Sequence, residues 1–157
     1  MAKQREIKFR NREGGQALVE FALMVVFLML LIVAFIELIG FGYTYNVLAD
    51  SAKEGVRYAI VHGTGSTSCS GPGSAAATPP ITCPDTTGTN VKNSVTSYAL
   101  YSLHNTTAMN VTTTYVDSSS APPSRIRVTV SYLYQPFFGL GWPRVTVHAA
   151  SEGRIMF

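Results

Sequence analysis

The chain has 157 residues, 46% hydrophobic and 13% charged, with a formal net charge of +3. That charge is local: residues 1–15 hold five Lys/Arg against two Glu, and the other 142 residues hold seven basic and seven acidic side chains. The pI of 9.0 therefore reflects a short leader, and no basic stripe interleaved with aromatics lies beyond it, which excludes a direct nucleic-acid surface.

The leader, residues 1–15, carries Lys3, Arg5, Lys8, Arg10 and Arg12 and ends in Gly14 and Gly15. Sixteen apolar residues then run unbroken from Phe21 to Ile36. Between Ala17 and Phe41 only Glu20 and Glu37 are charged. A bilayer core needs about 20 helical residues, so this stretch is long enough to span one. Basic residues before such a run favour a cytoplasmic N-terminus and export of the chain beyond the run. The pattern continues without a proline into "YNVLADSAKEGVRYAIVHG". There Val47, Leu48, Ala52, Val56, Ala59 and Ile60 recur at three- and four-residue steps among charged residues, an amphipathic helical stripe. One helix is expected over 16–62, with a span at 17–41. Gly63 is expected to end it in a left-handed turn, and Gly40, Gly42 and Gly55 are places where it can bend.

Residues 63–89 read as a long loop rich in Ser, Gly, Thr and Pro. It contains both cysteines, Cys69 and Cys83. An even pair in an oxidising compartment reads as a disulfide, closing a loop worth about 3 kcal/mol in the chain-entropy account. The other readings are a reduced pair and a pair of metal thiolates, but no His or Asp set has the spacing to complete a zinc site. In "NVKNSVTSYALYSLH" a short helix is expected, with Val91, Val95, Tyr98 and Ala99 on one face and Thr89 or Asn90 as its cap. The tail changes to period two. Val111, Thr113 and Tyr115 share a side; so do Ile126, Val128, Val130, Tyr132 and Tyr134, with Arg125, Arg127, Thr129 and Ser131 opposite; Val145 and Val147 begin a third run. This pattern predicts three antiparallel strands in a meander, one face on a helix and one in water. The fold class is α+β, with domains at 1–15, 16–62 and 63–157.

Glu20 needs a reason, because a carboxylate inside a membrane helix is costly unless paired, protonated or close to the headgroups. A headgroup position is the plain reading. The spacing offers another: a cut after Gly15 makes Gln16 a free amine, a cation below a pKa of about 8, and Glu20 the fifth residue. In a bundle of staggered copies, that amine meets the Glu20 of a neighbour and fixes the register. For Glu37 the favoured reading is a solvated residue at the far interface; contact with a partner helix is the alternative.

A basic leader ending in Gly, a Glu shortly after it and an unbroken apolar helix together resemble the class III signal of type IV pilins. More narrowly, "EGGQALVEFALMVVFLMLLI" and "AKEGVRYA" are similar to TadE-like proteins of the Tad (Flp) pilus system. The likeness covers residues 10–60 and is generic over 61–157. It implies a minor pilin or pseudopilin with a pilin-like fold. Gly15 and Gln16 would flank the processing site, with Glu20 and Phe21 in assembly. It also implies several partners: a prepilin peptidase, other pilins or pseudopilins, an inner-membrane assembly platform and membrane lipid. No catalytic residues, metal ligands or cofactor are expected. His62, His104 and His148 are scattered, and "GTGSTSCSGPG" lacks the ending of a phosphate loop. Two rivals need no Gly15/Glu20 spacing: a cleaved signal peptide ending near Tyr43, and an uncut anchor for a binding or adhesive ectodomain. Tyr132, Tyr134, Phe137, Phe138 and Trp142 are expected either to meet partner pilins or to pack in the core.

Overall fold

A computed structural model describes residues 13–139 and 143–157. The leader up to residue 12 and Trp142 lie outside the described residues. Five elements run in chain order: helix α1 (Glu13–Val61), helix α2 (Thr89–Leu100), and strands β1 (Met109–Tyr115), β2 (Arg125–Tyr134) and β3 (Val145–Arg154). The fold is α+β, as expected. The chain divides into two compact units, the first ending at Ile39 and the second running Gly40–Phe157. The amphipathic half of α1 thus belongs to the second unit.

In the first unit α1 is a helix whose apolar side chains are largely exposed, among them Leu18, Phe21, Leu23, Met24 and Phe27. A helix apolar all round, with its side chains uncovered, is the composition expected of a segment solvated by lipid. It is long and apolar enough to cross a membrane.

The second unit is built on a three-stranded antiparallel sheet of order β1-β2-β3. The strands alternate because each has one buried face. In β2, Ile126, Val128 and Val130 are fully buried, and Arg125 and Arg127, at alternate positions, are exposed. Val47, Leu48, Ala52, Val56 and Ala59 of α1, with Val91, Val95 and Ala99 of α2, share a core with those residues and with Val147, Ala149 and Ile155. The α2 stripe is a strict four-residue repeat, which leaves Tyr98 one position off it and 41% exposed; it is not part of the buried face.

On the outer face, Arg127 Nη2 lies 2.8 Å from a Glu152 carboxylate oxygen and Arg125 Nη2 lies 3.0 Å from Asp117. The hydrogen bonds from the Arg125 side chain and backbone hold the Asp117 carboxyl below its ordinary range.

Close approach, more than bending, explains two glycines. α1 is unbroken through Gly40, Gly42 and Gly55. A Cβ at Gly55 would collide with Val95 Cγ2 and come within 3.3 Å of Val128 Cγ1. Gly63 does not take the left-handed conformation expected of it. Ile155, the Ser120 carbonyl and the Phe157 carbonyl crowd where its side chain would be. The buried Ser51 hydroxyl bonds the Val47 carbonyl one turn back, at 2.7 Å, so burying it leaves no polar atom unsatisfied.

Candidate functional site

The expected processing and assembly residues fall at the start of α1. The helix begins at Glu13, so the Gly15–Gln16 peptide bond lies in its first turn. Gln16 and Glu20, four residues apart, share a helical face about 6 Å apart along the axis. Glu20 is exposed, and Phe21 beside it is 67% exposed. Phe21, Met24, Val25, Phe27 and Leu28 line a shallow depression of almost purely apolar surface. A carboxylate followed by an uncovered apolar helical surface is an arrangement for packing against lipid or against other helices.

Glu37 behaves differently. It is only 5% exposed, so the reading of a solvated boundary carboxylate fails, because the side chain is shielded from water.

Residues 15–57 match the family model for TadE-like protein. This TadE-like segment holds Gly15, Gln16, Glu20, Phe21 and Glu37, the whole apolar run, and the α1 stripe through Val56. It agrees with the resemblance drawn from the sequence and points to a role connected with the Tad pilus. The match covers 43 of 157 residues, so α2, the cysteine loop and the sheet lie outside it. Comparison with curated proteins and with solved structures returned no match.

Beyond the TadE-like segment, Cys69 and Cys83 form a disulfide with their Cα atoms 5.1 Å apart. It is the first of several ties that fix the loop between α1 and α2. The Ser70 amide bonds the His62 carbonyl at 2.8 Å, and the Gly71 amide bonds the Asp85 carbonyl at 2.6 Å. The Tyr115 hydroxyl donates to the Ser70 carbonyl at 2.9 Å. The Gly73 amide donates to the buried Ser120 hydroxyl oxygen at 3.0 Å.

Asp85 is the residue in this cluster that the sequence reading missed. It supplies the cap expected of Thr89 or Asn90. Its carboxylate accepts the Thr89 amide at 2.9 Å and the Asn90 amide at 2.8 Å, the first two amides of α2. It also accepts the Ser70 hydroxyl at 2.5 Å and the Thr87 hydroxyl at 3.2 Å. Gly88, in the left-handed conformation (φ 70°), turns the chain so that a residue three positions upstream reaches those amides. Burial alone would push the Asp85 carboxyl up. The hydrogen bonds from Ser70, Asn90, Thr89 and Thr87 outweigh it and hold the pKa at about 2. Burial also pushes the Tyr115 phenol up. A run of Asp, two Thr and a Gly before a helix was the available signal, since a carboxylate near a helix N-terminus is favoured electrostatically.

Proposed function

We propose that the chain is a minor pilin or pseudopilin taking part in assembly of a Tad/Flp-type surface pilus. A prepilin peptidase cuts it between Gly15 and Gln16. The mature chain then sits in the cytoplasmic membrane through residues 17–41, with its second unit outside. It packs laterally with other pilins through the apolar surface of α1, while Glu20 meets the free amine of a staggered neighbour. Its partners on this reading are the peptidase, other pilins or pseudopilins, the inner-membrane assembly platform and lipid. The role is structural, not catalytic.

One observation carries the proposal. Glu20 stands four residues after the proposed new N-terminus, at the head of an uncovered apolar helical surface, in the segment that is TadE-like. A lone charge in an apolar packing surface costs stability, and setting the register of helices is its best-attested use.

Intact mass tests it. The chain is expressed in its host with and without the prepilin peptidase. A start at Gln16 that depends on the peptidase is expected. A start near Tyr43, or an uncut Met1 form in both strains, overturns the proposal in favour of a secreted or plainly anchored ectodomain.

A further inference from the structure

The second unit has two unlike ends. At the end where α1 enters, the Tyr134 ring packs edge-to-face on Phe41 with centroids 5.5 Å apart, and the Tyr43 hydroxyl reaches the Ser102 carbonyl at 3.3 Å. These contacts bring the close of β2 and the close of α2 to residues 41–43 of α1. Just past each lies strongly exposed apolar surface. Tyr101 is 91% exposed and Phe137 is 84% exposed, the two highest values among the large hydrophobic residues described. Leu100 accompanies the first, and Phe138 packs on Phe137 with rings 5.3 Å apart.

The charge pattern divides the same way. Residues 38–49, 98–112, 130–139 and 143–149, which lie toward the α1-entry end, contain no Asp or Glu and a single Lys or Arg, Arg144; Glu37, just before them on α1, is buried. Asp85, Asp117, Arg125, Arg127, Glu152 and Arg154 belong to the other end, where β2 starts, β3 ends and α2 begins.

We propose that the α1-entry end is a lipid-docking collar, in which Phe41, Tyr43, Leu100, Tyr101, Phe137 and Phe138 seat the unit in the headgroup layer of the outer leaflet. The inference rests on the reading that residues 17–41 span a bilayer. Two features select lipid over protein as the occupant. The collar is continuous in the chain with an apolar span that ends at Phe41, so it lies where that span leaves hydrocarbon. Its make-up suits a membrane interface: apolar rings and Leu100, with Tyr43 and Tyr101 supplying polar tips, one cation in the segments around them and no exposed carboxylate there to repel anionic headgroups. An exposed apolar patch of this kind is otherwise an aggregation liability.

The test uses the full chain in nanodiscs of phosphatidylcholine and phosphatidylglycerol. Trp142, the only tryptophan, is replaced by Phe. Single tryptophans are then placed by Phe27→Trp, Tyr101→Trp, Phe137→Trp and Phe157→Trp. Lipids brominated deep in the acyl chain are expected to quench position 27, and lipids brominated just below the headgroup to quench positions 101 and 137, each about twofold, with position 157 unquenched by either. Quenching at 27 but at neither 101 nor 137 overturns the collar. If emission at 101 and 137 then responds to the protein-to-lipid ratio, a second copy is the occupant. Loss of quenching at 27 itself would overturn the membrane-span reading and the collar with it.

Discussion

Replacing Asp85 by Asn tests the claim that one carboxylate binds the cysteine loop to α2. Asn keeps the size but puts an NH2 group against an amide that needs an acceptor. The native carboxyl titrates at about 2 against an ordinary 3.8, a difference of about 1.8 units. At about 1.4 kcal/mol per unit this is at most about 2.5 kcal/mol, and solvent screening of a partly exposed group reduces it to about 1–2 kcal/mol. The sign follows from the depressed folded pKa. The stabilisation is complete above the unfolded pKa, near 4, and is lost as pH falls through about 2. Denaturant unfolding of the full chain in detergent, followed by the near-ultraviolet tyrosine signal, measures it. The native chain should exceed Asp85→Asn by about 1–2 kcal/mol at pH 7, and the gap should close to about 0.4 kcal/mol or less at pH 2. A gap of equal size at both pH values would refute the reasoning, because the loss would then come from packing and not from the carboxylate.

Three further outcomes are expected. Cys69→Ser with Cys83→Ser should lower stability by about 3 kcal/mol, and reductant should bring the native chain to the same denaturation midpoint. Gly55→Ala should destabilise by about 1–3 kcal/mol through overpacking against Val95 and Val128, while Gly42→Ala, where a Cβ meets nothing within 4 Å, should stabilise by up to about 1 kcal/mol; thermal melts of the two variants separate close approach from helix propensity. Glu20→Ala should abolish incorporation into fibres, scored by immunogold labelling or shear fractionation, with no change in the melting of the second unit.

The sequence made local periodicity legible. The change from four-residue steps in Leu48, Ala52 and Val56 to alternation in Ile126, Val128 and Val130 placed α1 and β2 and named the residues that share their core. The disulfide was legible because the two cysteines stand as a lone pair in one polar loop. The hidden features depend on pairs distant in sequence. Asp85 became a cap only because Gly88 turns the chain back. Gly63 is required by Ser120, Ile155 and Phe157, none of which is near it in the chain. Glu37 looked like an interface residue because its neighbours in sequence are lipid-like, and its burial leaves no trace in the local pattern. At the start of α1 the apolar run itself was the signal, and the structure adds that its side chains stay largely uncovered.

The core of the second unit draws on segments far apart in the chain. Leu48 and Val56 are among its earliest residues, and Val147, Ala149 and Ile155 among its latest. Met156 donates its amide to the Ile60 carbonyl and Ile155 donates to Ser124. A chain halted before Val145 therefore leaves the α1 stripe only partly covered, by α2 and β2, with no third strand, Val147, Ala149 or Ile155 to complete the core. Such late closure is slow and leaves apolar surface open to proteases and chaperones in the meantime. A series of arrested chains should therefore reach full protease resistance only once residues 145–155 have emerged.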